Sequence, residues 1–319
     1  MIVGCGALGC PSADLLARAG VGKITLIDRD LVEYSNLHRQ TLFCDADAKA
    51  QLPKAQAAKQ RLNAVNPEIE TDAVVADFGA YDAERIVLHG KFGKPDILLD
   101  GTDNFETRFL INDLSVMHAI PYVYAGAIGT TAMAAVFIPG KTPCLRCLLS
   151  TPPPPGSQPT CETAGVFAPV SVIIASYQAS EALKLLIGAD DRVMDSMLEF
   201  DLWEGQRRRI GLAELKDPQC PCCNSRDFEF LDREDEETIS ICGRTAIQIN
   251  PHTRTPIALT QLAESLSTQG TFVTTGFMIK GRLAESDIGL TVFHDGRAIF
   301  DGIDDPAVAR GLYARYIGC

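Results

Sequence analysis

The chain opens Met1-Ile2-Val3-Gly4-Cys5-Gly6-Ala7-Leu8-Gly9 and reaches Lys23-Ile24-Thr25-Leu26-Ile27-Asp28 after one apolar helical repeat from Gly9 to Ala19. Met1 to Val3 reads as the end of a strand, and Lys23 to Asp28 reads as a second strand closed by an acid. Glycines between a strand and a helix let the backbone approach phosphates, while the helix start presents unpaired N–H groups. An acid about 20 residues further on is where ribose hydroxyls are usually accepted. Gly4, Gly6, Ala7 and Gly9 are therefore candidate phosphate contacts and Asp28 a candidate ribose ligand. The bland alternative is a glycine turn kept for tight packing, and the motif leaves NAD and ATP both open. Ala7, directly after the second glycine, brings a side chain into the turn, which the backbone tolerates if its φ stays negative.

Strand-like and helix-like segments continue to alternate through roughly the first 200 residues, so the class is α/β. The pattern predicts a Rossmann-like, mostly parallel sheet with helices on both faces. Pro53 to Asn66 suits a helix started by proline; strands follow near Ile69 to Val75 and Ile97 to Asp100. Thr102-Asp103-Asn104 is a helix start before Phe105 to Ala119, and Tyr122 to Ala127 and Met133 to Phe137 read as buried strands. Thr151 to Thr160 holds five prolines and reads as an exposed crossing loop before a long helix near Ala168. The acidic run Asp232 to Glu237 marks a boundary between a first domain, 1–231, and a small α+β domain, 232–319. The strands expected there are Ile239 to Ile249, Thr271 to Ile279, Leu290 to Phe293 and Ala298 to Phe300, with an Asp295-Gly296 turn and a closing helix to Tyr316.

A net charge of -12 argues against a nucleic-acid surface, which needs clustered cations to release counterions. The apolar stretches Ala119 to Gly140 and Phe167 to Gly188 are broken by proline, glycine or helical-period polar residues, so neither reads as a membrane span. No signal-peptide pattern opens the chain, and a cytoplasmic location is expected.

Asp28-Arg29-Asp30, Ser35 to Gln40, Pro53-Lys54 and Gly101 to Asn104 form a set for which a dehydrogenase has no need. A triphosphate has such a need: Arg39 and Lys54 can neutralise charge as pyrophosphate leaves, and Asp103 at a strand's end can hold magnesium. The bland alternatives are a surface ion pair for Arg39, a solvated Lys54, and an Asp103 that only caps its helix.

The chain has eleven cysteines, and in a cytoplasmic protein these suggest metal ligands, thiol chemistry or core filling. Cys144-Leu145-Arg146-Cys147 and Cys220-Pro221-Cys222-Cys223 are two C-x-x-C pairs about 75 residues apart, suited to a closed, structural tetrahedral zinc site. Cys222 leaves the fourth ligand open against Cys223. Cys5, Cys10 and Cys44 read as small core residues.

With Gly4 to Gly9, Asp28 to Asp30, Ser35 to Gln40, Pro53-Lys54, Thr102 to Asn104, the two cysteine pairs and Cys161 to Gly165 in hand, the chain resembles the MoeB/ThiF family of ubiquitin-activating-type enzymes over about 225 residues. The resemblance implies a homodimer that uses ATP and magnesium to adenylate the C-terminal glycine of a ubiquitin-like sulfur-carrier protein ending in Gly-Gly, for molybdopterin or thiamine biosynthesis. It implies that Asp28 and Asp30 serve the nucleotide, with Asp28 on the ribose, Asn36, Arg39 and Lys54 on the phosphates, and Asp103 on the metal. Cys161 falls at the family's loop cysteine, which in some relatives takes a covalent second step with a sulfurtransferase or cysteine desulfurase as further partner. Family members usually carry a helical segment before the first strand, with an arginine that reaches the neighbouring protomer's site, whereas this sequence starts inside the strand. Two other readings follow: a non-catalytic carrier-binding scaffold, motivated by that start, and an NAD-dependent oxidoreductase, which leaves Arg39, Lys54, Asp103 and the cysteine pairs unexplained. Residues 232–319 lie outside the resemblance and are expected to serve carrier docking or dimer support.

Overall fold

The structure is a computed structural model that describes residues 1–153, 163–233, 238–240, 245–251, 257–284 and 287–318. The chain divides into two compact units, Met1–Arg233 and Glu234–Cys319.

The first unit runs β1 (Ile2–Val3), α1 (Gly9–Arg18), β2 (Lys23–Ile27), α2 (Asp45–Lys49), α3 (Lys54–Val65), β3 (Glu70–Val74), α4 (Ala80–His89), β4 (Leu98–Asp100), α5 (Phe105–His118), β5 (Tyr122–Ile128), β6 (Thr131–Phe137), α6 (Leu145–Leu148), α7 (Ala168–Leu186), β7 (Ser196–Asp201) and β8 (Gln206–Gly211). One sheet is ordered β3-β2-β1-β4-β5-β6-β7-β8. Pairing is parallel from β3 through β5, as the alternation predicts. Pairing is antiparallel from β5 to β8, because β5 and β6 are joined only by Gly129 and Thr130, far too short for a parallel crossover. Neighbouring strand residues point to opposite faces and feed two cores. Ile2, Leu26, Leu99 and Val123 pack in one core with Leu16, Leu62 and Ile174 of α1, α3 and α7. Val3, Ile27, Leu98 and Tyr122 pack in the other with Ile86 and Phe109 of α4 and α5. Helices therefore cover both faces, and the order reverses between β1 and β4, the crevice where α/β sheets take ligands.

Sequence reasoning did not identify α4, β7 or β8. The second unit contains β9 (Thr238–Ser240), β10 (Ala246–Ile249), α8 (Leu259–Leu266), β11 (Gly270–Thr274), β12 (Met278–Leu283), β13 (Gly289–Phe293), β14 (Ala298–Asp301) and α9 (Pro306–Tyr316). Its sheet, β11-β12-β13-β14-β10-β9, is antiparallel throughout. The single strand expected over Thr271 to Ile279 is two, because Thr275 Oγ1 accepts from the N–H groups of Phe277 and Met278 and turns the chain. The strand expected over Ile239 to Ile249 is likewise split into β9 and β10, and α8 was not foreseen. No helix among the described residues is long and apolar enough to cross a membrane.

Candidate active site

Three glycines lock the end of β1 against the end of β4. A methyl on Gly9 would lie 1.9 Å from the Gly4 carbonyl oxygen, one on Gly101 2.2 Å from the same oxygen, and one on Gly4, whose φ is +92°, 2.5 Å from the Gly101 oxygen. Packing alone demands glycine at these positions. Gly6 differs: a methyl there meets only the Gly101 oxygen, at 3.7 Å, an ordinary contact. Its missing side chain has no internal reason and fits close approach of a phosphate. Ala7 is not among the residues with positive φ, so it occupies its place without strain. No side chain caps the start of α1; Cys10 N–H is taken by the Gly6 carbonyl oxygen at 3.1 Å and Pro11 has none, so Gly9 N–H is the donor that the first turn of the helix leaves for a ligand.

Asp28 straps this turn to the end of β2. Its Oδ2 accepts from Cys5 N–H and its Oδ1 from Asp30 N–H, both at 2.7 Å. Burial pushes the Asp28 carboxyl up to about 6; Lys54 opposes the rise, Asp30 adds to it, and the backbone donors pull it back. Lys54 is pinned twice to Asp30, its N–H on the carbonyl oxygen and its Nζ on Oδ2, each at 2.8 Å. It is only 7% exposed, so the bland alternative of a solvated lysine fails. Burial works against its charge, but Asp30, Asp28 and Asp103 together hold the ammonium well above its ordinary range. Asn104, not Asp103, caps α5, its Oδ1 accepting from Thr107 N–H at 2.9 Å. Asp103 is exposed, and its charge is felt by Lys54, Arg29 and Arg108. The structure thus brings Asp28, Asp30, Lys54 and Asp103 into one electrostatic cluster beside the glycine turn. Arg39 is turned elsewhere: its Nη1 donates to the Ser35 oxygen at 3.1 Å and lies 3.5 Å from His38 Nε2. Asn36 Nδ2 donates to Ser35 Oγ at 3.2 Å. Among the described residues no recorded contact joins Arg39 or Asn36 to Lys54 or Asp103.

Four residues beside this cluster were given no role of their own by the sequence reading. Arg29 pairs with Asp77 at 3.2 Å, and burial, which opposes its charge, is outweighed by Asp77, Asp30, Asp28 and Asp103. Gln178 of α7 is buried and donates to the carbonyls of Asp100 and Val123, at 2.8 and 2.9 Å, where β4 and β5 diverge. Asp100 and Arg108 form a buried pair beneath Asp103 in sequence, with Nε 3.3 Å from Oδ2. A run of apolar residues hides such groups, although an arginine one turn into α5 after the Thr-Asp-Asn start was the available signal.

The two C-x-x-C turns meet. The Sγ atoms of Cys144, Cys147, Cys220 and Cys223 lie within 4.8 Å of one another, with Cys144 to Cys220 at 3.6 Å and Cys147 to Cys223 at 3.4 Å. These cysteines are free thiols, and sulfurs at the corners of a zinc tetrahedron stand about 3.8 Å apart, given a Zn–S bond of about 2.3 Å. The donor set fits zinc. Cys222 is buried and accepts from Asn112 Nδ2 at 3.3 Å, while Asn112 Oδ1 accepts from Leu145 N–H at 2.8 Å, so one amide holds both turns. Burial pushes the Cys10 thiol up to about 12 and the Cys5 thiol well above its ordinary range, which suits core filling. Cys44 is not a core residue: it is exposed, at the start of α2, where its N–H donates to Asp47 Oδ2. Cys161, Cys242, Cys319 and most of the proline-rich crossing lie outside the described residues.

Comparison with known proteins gives the family and the fold. The ThiF family model matches residues 1–222. The sulfur carrier protein ThiS adenylyltransferase of Bacillus subtilis is 38% identical over 320 residues, covering 100% of this chain and 92% of that protein, so the second unit is matched as well. The sulfur carrier protein adenylyltransferase of Thermus thermophilus is 36% identical over 249 residues, 76% of this chain and 87% of its own length. The crystal structure of Escherichia coli MccB shares the fold, with a TM-score of 0.60 at 24% identity over 70% of this chain and 66% of that one. The glycine turn and the acids and lysine around it are thus set in a chain that belongs to the ThiF family of ubiquitin-activating-type adenylyltransferases.

Proposed function

We propose that the protein adenylates the C-terminal glycine carboxylate of a ubiquitin-like sulfur-carrier protein with ATP, releasing pyrophosphate. What supports this reading is the chain of contacts that ties Lys54 through Asp30 and Asp28 to the glycine turn, with Asp103 two residues after Gly101, which packs against Gly4. A carboxylate is a weak nucleophile toward a polyanion, so the site has to align it with the α-phosphorus and screen the growing charge. The carboxylate oxygen forms the new bond to the α-phosphorus, and the bond from that phosphorus to the pyrophosphate oxygen breaks. Asp28 would receive the ribose, Gly6, Ala7 and the start of α1 the phosphates, and Lys54 the charge that builds on pyrophosphate. Asp103, with Asp30 at hand, would hold magnesium, whose chemistry is to neutralise the phosphate oxygens. Arg39 and Asn36 would join only after leaving Ser35. Cys144, Cys147, Cys220 and Cys223 would hold a structural zinc that ties the segment after Asp217 to the sheet.

A protein partner is supported by apolar surface at the end of the sheet where the glycine turn follows β1. Leu202 and Trp203 follow β7, which runs in the same direction as β5, and Trp203 is 73% exposed. Phe167 lies against Trp203 and is bonded to Gly129 at the end of β5. The homodimer, the cytoplasmic location, the molybdopterin or thiamine pathway and a covalent step at Cys161 with a sulfurtransferase or desulfurase belong to the same proposal.

The test is exchange of labelled pyrophosphate into ATP. Exchange should require both magnesium and a carrier with a free Gly-Gly terminus, and a carrier with an amidated terminus should not support it. Exchange that ignores the carrier's terminus would refute the proposed substrate.

A further inference from the structure

Asp100 is fully buried, at 0% exposure, and Arg108 is 7% exposed, yet neither is a surface-facing candidate for substrate. Their contacts converge on one residue. Asp100 Oδ1 accepts from the N–H and the Oγ1–H of Thr102, at 2.9 and 2.6 Å, while Arg108 Nη2 donates to the Thr102 carbonyl oxygen at 2.9 Å. Both main-chain polar groups of the residue before Asp103 are thus bonded to the two halves of one buried ion pair. The residue after Asp103 is fixed separately, as the cap of α5. The residue before Thr102 is Gly101, which interlocks with Gly4.

The pair itself has little freedom. Tyr122 donates to Asp100 Oδ2 at 2.7 Å, Gln178 holds the Asp100 carbonyl, and the Arg108 guanidinium lies over the rings of Phe105 and Tyr124 at 5.3 and 5.5 Å. Gly126 leaves room for the assembly, since a methyl there would come 3.0 Å from Tyr124 Oη and 3.5 Å from Arg108 Nη2. Buried ion pairs seldom add net stability over apolar residues of the same size, because desolvation cancels most of the attraction. The planar guanidinium does supply geometry: its Nη2 is hydrogen-bonded to the Thr102 oxygen while its Nε, which makes no hydrogen bond, lies beside Asp100 Oδ2 as an ion pair.

We propose that Asp100 and Arg108 are positioning residues that fix the Asp103 carboxylate relative to the glycine turn, and thereby set how strongly magnesium and ATP bind together. The assignment rests on Asp103 holding the metal. Neither residue touches the nucleotide; each acts through Thr102.

The test measures ATP affinity by calorimetry in magnesium and in EDTA, since the ratio of the two isolates the coupling between metal and nucleotide. Replacing Arg108 alone by an apolar residue strands a buried carboxylate, so the informative chain is the double variant Asp100→Asn with Arg108→Met, which removes both charges. Its affinity in EDTA should match the wild type, and its enhancement by magnesium should fall by about 10- to 100-fold, the usual cost of losing a ligand's supporting contacts. Arg108→Lys, which can reach the Thr102 oxygen or Asp100 but not both, should fall between. A double variant or Arg108→Lys chain with the wild-type enhancement would overturn the assignment, as would equal losses in magnesium and EDTA. A wild-type chain whose ATP affinity is indifferent to magnesium would instead remove the metal role of Asp103, and this inference with it.

Discussion

The glycine turn separates residues that build the site from those that leave room in it. Gly9→Ala places a methyl 1.9 Å from a backbone oxygen, so its thermal or denaturant unfolding should show a loss of about 3 kcal/mol or more. Gly6→Ala meets nothing closer than 3.7 Å and should keep wild-type stability while losing ATP affinity; an unstable but ATP-tight Gly6→Ala would invert the account. Asp28 gives a pH dependence with a definite sign. Its carboxyl is raised to about 6 in the folded chain, so the stability it contributes is present below its unfolded value near 4 and is lost as pH rises through about 6. Ribose binding needs the ionised form, so affinity should move the other way and weaken as pH falls through about 6. Adenosine, which carries no titrating phosphate, is the suitable probe in competition binding. An adenosine affinity that is flat across that window would remove Asp28 from the ribose.

At the scale of elements, the two cysteine turns act as one clasp between α6 and the segment after Asp217. Metal analysis should find one zinc per chain, lost in Cys220→Ser and kept in Cys222→Ala, because the four sulfurs that lie within 4.8 Å of one another are those of Cys144, Cys147, Cys220 and Cys223. Zinc lost equally from both variants would show that the fourth ligand is misassigned. Chelation should lower the melting temperature of the first unit, since structural zinc binding is folding free energy. This clasp was legible in sequence because spacing alone carries it, as position carries Gly4, Gly9 and Asp28. Other elements were less visible. β8 contains Arg207-Arg208-Arg209 on the sheet's edge, where exposed charge looks like a loop. β7 does alternate, with Ser196, Leu198 and Phe200 buried, and α4 does bury Ala83, Ile86 and Val87 at helical spacing; short segments of this kind offer too little pattern to stand out. Asp100 and Arg108 were hard to read for another reason: the arginine one turn into α5 is a local signal, but the Tyr122 hydroxyl on Asp100 and the Tyr124 ring beside Arg108 come from β5, more than a dozen residues away.

For the whole molecule, the family resemblance and the fold agree over the first unit, and the relative from Bacillus subtilis extends the match through the second. That second unit is a separate antiparallel sheet with its own core, built on Ile247, Leu290, Val292 and Phe300. If it serves carrier docking, deletion after Asp235 should raise the carrier's KM about tenfold, equivalent to about 1.4 kcal/mol, and leave the KM for ATP unchanged. Unaltered carrier kinetics would exclude that role. The central claim concerns the first unit: one crevice, at the reversal between β1 and β4, receives the triphosphate. A crystal structure with a non-hydrolysable ATP analogue and magnesium tests it most directly. The account predicts ribose hydroxyls on Asp28, phosphates over Gly6 and the start of α1, Lys54 turned from Asp30 toward them, and the metal on Asp103. A nucleotide bound away from this crevice, or bound there with Lys54 and Asp103 facing away from it, would contradict the account.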